Sequence, residues 1–177
     1  MNDSRLEIRV VPFARRWHVI HEIDLVGMIA EHRRRAAICA WAELIADGLP
    51  NRPDDEGLAR FLVTLDDMAT RIETGGPPLW DATLRHGDRD PLGTILRDHV
   101  RDRHMADAAA AREVIAAFDV EADTASETLG YSLRGFFAAC RGGVEFEQLA
   151  VLALAGHRLT PDARAVLTDA LAQGFAH

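Results

Sequence analysis

A chain of 177 residues, 48% hydrophobic but only 6% aromatic, is long enough for one domain with a real core and too poor in aromatics for an aromatic-rich β-sandwich. Its formal net charge of -8 excludes a general nucleic-acid surface. All 20 basic residues are arginine, which reads as genome composition, and the one basic run, Arg33-Arg34-Arg35, needs no partner on a solvated helix face.

Residues 1–16 read as an extended arm, because Val10 and Val11 favour extended backbone and Pro12 blocks an early helix. The segment lacks the apolar core of a signal peptide, and no apolar stretch reaches the ~18 residues needed to span a bilayer. The expectation is a cytoplasmic protein with no membrane partner.

The first long helix is expected from near His18 to Asp47-Gly48. Leu25, Met28, Ile29, His32, Ala36 and Cys39 fall on one narrow face, with His21 three turns before His32. Ile23, Ala30, Ala37 and Trp41 make a second apolar set on the opposite side. Such a helix is either central in the fold or packs against a partner subunit, which makes a homodimer through this helix and Trp41 an open reading.

The loop LPNRPDDEG leads into a second helix capped by Asp54 or Asp55, with a core face of Leu58, Phe61, Leu62, Leu65, Met68 and Ile72. Gly75-Gly76-Pro77-Pro78 stops it. A short helical piece, LWDATLRH, and a turn at Gly87-Asp88-Arg89-Asp90 follow.

Asp90-Pro91 opens a third helix that runs to about Phe118. Leu92, Ile95, Leu96, His99 and Ala106 share one side, which points His99 toward the core. Thr124-x-x-Glu127 has the form of a capping box and starts a fourth helix with Leu129, Leu133, Phe136, Phe137 and Cys140 on its core face. Gly142-Gly143 should bend or interrupt this helix, which resumes to about Gly156. Thr160-Pro161-Asp162 starts a short terminal helix over 160–174. With no repeat or linker, residues 1–177 read as a single all-α domain: a four-helix bundle with an N-terminal arm and a short C-terminal helix.

The chain has no Gly-rich phosphate loop, nucleophile elbow or HExxH. Cys39 and Cys140 form no CxxC and read as buried free thiols. What remains is His32 and His99 on apolar lines of different helices, and Glu147 within the apolar run EFEQLAVLALAG. A carboxylate facing a core must be paired, protonated or bound to metal. Inward histidines are commonly hydrogen-bonded core residues, yet two histidines and one carboxylate are also a minimal non-haem iron set. Both readings stay open on spacing alone.

Three stretches, IDLVGMIAEHRRR, LWDATLRHG and DPLGTILRDHVRDR, carry a resemblance to the hemerythrin-like (HHE cation-binding) family over roughly residues 20–155. The resemblance implies an up-and-down four-helix bundle and a metal centre that binds dioxygen or serves iron, redox or nitric-oxide responses. It implies metal-ligating roles for His32 on the first helix, His99 on the third and Glu147 on the fourth. Ile72, Gly76 and Gly143 stand where the family has further ligands and Arg103 where some members carry another histidine; His104, one residue later and about 100° around the helix, is not an obvious substitute. The full di-iron set is therefore depleted. The Gly-Gly pairs at 75–76 and 142–143 mark either decay of an unused site or space cleared for another ligand. The expected function is binding or sensing with one residual metal ion, iron or another divalent cation, at His32, His99 and Glu147, and dioxygen or nitric oxide as the small ligand. The alternatives are a metal-free helical interaction or small-ligand-binding module and, with least weight, a mononuclear non-haem iron enzyme.

Overall fold

A computed structural model describes residues 19–51, 53–75, 91–118 and 125–174. The proposed arm at 1–16, the LWDATLRH piece, the turn before Pro91 and Thr124 of the capping box lie outside the described residues. The described chain is helical: α1 (Glu22–Gly48), α2 (Asp55–Thr74), α3 (Pro91–Phe118), α4 (Ala125–Ala155) and α5 (Pro161–Gly174).

Local chemistry sets the ends. The Asp24 carboxylate accepts from the His21 backbone N–H at 2.9 Å, so α1 starts four residues later than its apolar pattern suggests. Asp54, not Asp55, caps α2 by accepting from the Gly57 N–H at 2.7 Å. Thr160 Oγ1 accepts from the Ala163 N–H at 3.1 Å and opens α5. At the end of α4 a Cβ on Gly156 would stand 2.3 Å from the Leu152 carbonyl oxygen, so only glycine lets the chain turn there. Ile20 then pairs with Leu159 in an isolated parallel bridge that ties the entry to α1 against the entry to α5.

The expected break at Gly142-Gly143 does not occur, and α4 is one continuous helix of 31 residues. Two glycines cost a helix roughly 1 kcal/mol each, but packing on both flanks outweighs propensity here.

Each of the four long helices packs on two of the others, α1 on α2, α2 on α3, α3 on α4 and α4 on α1, while α5 lies against α1 and α4. Cross-helix contacts give their directions. Trp41 meets Phe61 and Glu31 approaches Arg71, so α1 and α2 are antiparallel. His32 and His104 both reach Glu147, which joins α1 and α3 to α4 at one level.

Two apolar clusters fill the interior. One gathers Ile38, Cys39, Ala42, Phe61, Leu65, Met68, Leu133, Phe136 and Cys140 among others. Phe61 sits edge-on to both Trp41 and Phe118, which places Trp41 within the chain's own packing. The second cluster gathers Leu25, Met28, Ile29, Val100, Val151, Ala155 and Leu167, with α5 as its lid. Between the two lies a layer of buried polar residues: His32, Arg35, His104, Asp107, Glu147 and Gln148.

Candidate metal centre and its cleft

The polar layer is built from helical spacing. On α1, His32 and Arg35 follow Met28 and Ile29 on the buried face and precede Ile38 and Cys39. On α3, the buried line runs Gly93, Val100, His104, Asp107, Ala108, Ala111 and Val114. On α4, Glu147 and Gln148 fall between Cys140 and Val151.

Glu147 is the hub, only 2% exposed. Its Oε2 lies 3.1 Å from His32 Nε2 and 3.0 Å from His104 Nε2. Arg35 Nη1 stands 4.0 Å from the same oxygen. Burial alone would raise the Glu147 pKa, but the hydrogen bonds from His104 and His32 outweigh it and hold the carboxyl well below the usual carboxylate range. Gln148 Nε2 donates to His32 Nδ1 at 3.2 Å, and in that orientation the His32 proton sits on Nε2, facing Glu147.

Asp107 completes the layer one turn beyond His104. Burial raises its pKa, against the opposing pull of Arg35, His104 and Arg103. Asp107 Oδ2 and the Nε and Nη1 of Arg35 are buried and find no hydrogen-bond partner among the described residues. A Cβ on Gly143 would come within 3.1 Å of Asp107 Oδ2, so the missing side chain there is room that Asp107 occupies.

The layer unites two of the three residues expected to ligate metal, His32 and Glu147. It does not include His99, which is exposed and packs edge-on to Phe146 at 4.8 Å between ring centroids. Leu92 and Ile95, which define the apolar side that His99 shares, are both exposed. The buried line of α3 is written in small and polar residues instead. His104 lies five positions from His99, about 140° around the helix, and takes the inward place. Arg35, read as part of a solvated basic run, is buried at the layer, whereas Arg33 and Arg34 are exposed. Of the positions where the resemblance implies further ligands, Ile72 is half-buried against the apolar cluster and Gly143 brings no side chain, while Gly76 lies outside the described residues.

A cleft of about 430 Å³ opens between α1, α4 and α5 and reaches the layer from the side. His32 and Gln148 stand in its wall with Cys39, Ile29, Val166 and Arg141. Among the described residues, no helix is long and apolar enough to cross a membrane. No family model, no curated protein and no solved structure matches the chain.

Proposed function

We propose that the chain is a hemerythrin-like binding or sensing bundle that holds one divalent transition-metal ion through His32, His104 and Glu147, with the cleft as the route of a small ligand to it. One observation carries this reading: two imidazole Nε2 atoms from different helices converge on a single buried carboxylate oxygen at 3.1 and 3.0 Å. Two ligand atoms in adjacent positions of a six-coordinate ion, each at ~2.1 Å, stand about 3.0 Å apart, which is also an ordinary hydrogen-bond length; among the described residues no group of three such side chains is placed to hold an ion as it stands, so binding asks the imidazoles to turn from the carboxylate oxygen toward a shared point. Two histidines and a carboxylate suit iron(II), manganese(II) or zinc(II), and a bound ion would supply open positions for dioxygen or nitric oxide. His32 and His104 would present neutral nitrogens, and Gln148 would fix the His32 ring by accepting from Nδ1–H after its amide turns over. Arg35 would offset the Glu147 charge and keep affinity moderate.

A metal-free bundle module is the second reading, and the Gln148 amide favours it. As placed, the amide makes His32 Nε2 a proton donor to Glu147, and Arg35 already balances that carboxylate. The layer is then a hydrogen-bonded core element and the cleft a binding site for a small organic ligand.

Metal analysis and thermal shift decide between them. Chelator-stripped protein titrated with iron(II), manganese(II) or zinc(II) should take up about one ion and gain melting temperature by mass action. His104→Ala should abolish that gain, and His99→Ala should leave it intact. No shift with any of the three ions, or loss of the shift in His99→Ala alone, removes the metal reading.

A further inference from the structure

The contact between His32 and Glu147 fixes how α1 and α4 lie against each other. The helices run antiparallel, so seven residues onward on α1 faces seven residues backward on α4. Those two positions are Cys39 and Cys140. Both are buried in the same apolar cluster as free thiols, near enough for each to act on the other's ionisation. Two turns of helix put the pair about 10 Å from the polar layer. One turn further along α1, Glu43 holds Arg141, the residue after Cys140, and clamps the two helices at this level.

The two thiols are not equivalent. Cys39 stands in the wall of the cleft, together with Arg141, whereas Cys140 is not among the residues that form that wall. The neighbouring Cys140 thiol lowers the Cys39 pKa, with burial opposing and Arg141 assisting. Cys39 in turn, with burial, pushes the Cys140 thiol up. Cys39, although only 1% exposed, is thus the member that borders the cleft, and Cys140 lies behind it.

We propose that Cys39 and Cys140 are a peroxide-responsive dithiol, with Cys39 as the attacking sulfur, Cys140 as the resolving one, and a disulfide between α1 and α4 as the product. Hydrogen peroxide entering the cleft is the oxidant. The Cys39 thiolate attacks one peroxide oxygen and the O–O bond breaks. The displaced hydroxide takes up a proton and leaves as water, and Cys39 becomes the sulfenic acid. The Cys140 sulfur then attacks Cys39 sulfur, the S–O bond breaks, and the Cys140 proton leaves with the hydroxyl as a second water. The sum is two thiols and one peroxide to one disulfide and two waters, a two-electron exchange. A thioredoxin-type dithiol would reverse it. Because the bond would tie together the two helices that carry His32 and Glu147, it offers a redox control over access through the cleft.

The test uses the full chain with a chelator present, so that it does not depend on the metal reading. After one equivalent of hydrogen peroxide, titration under denaturing conditions should fall from two free thiols to none. The mass should drop by two hydrogens, digestion should yield a peptide pair joined at Cys39 and Cys140, and dithiothreitol should restore the thiols. In Cys140→Ser, a dimedone adduct should accumulate on Cys39. In Cys39→Ser, Cys140 should react at least tenfold more slowly. Two thiols persisting in the wild-type chain, or disulfides formed only between chains, would overturn the proposal. Peptide mapping of the wild-type protein decides this even where a variant fails to fold.

Discussion

Replacing Glu147 by glutamine keeps the shape of the hub and removes its charge, which makes it the sharpest probe of the polar layer. In the wild type, Oε2 accepts from His32 and His104 and faces Arg35 at 4.0 Å. Hydrogen bonds to a charged group contribute ~1.5–3 kcal/mol each, against ~0.5–1.5 for neutral pairs. A glutamine oxygen that still accepts both bonds therefore gives up ~2–3 kcal/mol. Arg35 also loses its nearest anion inside the layer, which moves the expectation toward the ~3–5 kcal/mol seen when a buried pair is broken. We expect the Glu147→Gln variant to be less stable by ~2–4 kcal/mol, or roughly 5–15 °C in melting temperature for a domain of this size. The assay is urea unfolding of chelator-treated protein followed by far-ultraviolet circular dichroism. The difference should also depend on pH. The folded pKa of Glu147 lies below its ordinary value of 4.5. Its contribution is therefore fully present above that value and is lost as pH falls through the folded one. The margin over the glutamine variant should shrink as pH falls below about 4.5. A glutamine variant as stable as the wild type at pH 7 would refute the view that this anion organises the layer.

Asp107 should behave with the opposite sign. Burial raises its folded pKa above 3.8, so the folded state holds a proton that the unfolded chain releases. Its contribution is present below the unfolded value and lost as pH rises through the folded one, so Asp107→Asn should gain on the wild type as pH rises above about 4, read from denaturation midpoints; the reverse trend would mean that Arg35 pairs with the carboxylate. Glycine replacements along α4 should divide by position. Gly143→Ala crowds Asp107 Oδ2 at 3.1 Å and should cost ~1 kcal/mol despite better helix propensity, whereas Gly135→Ala meets nothing within 4 Å and should gain ~0.5–1 kcal/mol. Equal shifts in thermal unfolding of the two variants would remove the packing argument at Gly143.

Much of the secondary structure was legible because it rests on local rules. Asp54, Gly75 and Thr160 each sit at a helix end for reasons of backbone hydrogen bonding that involve few neighbours. The site was legible in part. His32 and Glu147 stand out because polar residues within an apolar line carry a signal of their own. His99 lies off the inner face because the large apolar side chains of α3, Leu92 and Ile95, do not mark that face. Where three helices meet closely, the inner positions go to small residues, Gly93, Ala108 and Ala111, and Leu92 and Ile95 are left outside. Applied to Gly93, Val100, Ala108 and Ala111, the helical period selects His104 and Asp107 without further help. Arg35 follows by the same rule: Leu25, Met28, His32, Cys39, Ala42 and Ala46 step by three and four through position 35, and Arg33 and Arg34 fall off that line.

A layer of six polar side chains between two apolar clusters is expensive, and an apolar layer of similar volume is often as stable or more so. Something other than stability must then retain it. One consequence is visible in the register of α1 against α4. Apolar faces of leucine, alanine and phenylalanine resist a slip of one turn only through the fit of their side chains. The Glu147 carboxylate adds to this, since a slip would take Oε2 away from both imidazoles and leave a buried charge unpaired. The layer therefore fixes the one alignment in which Cys39 meets Cys140, two turns away. The proposed metal site and the proposed dithiol are thus not independent ornaments on a bundle. The pairing that the second would use follows from the hydrogen bonds of the first.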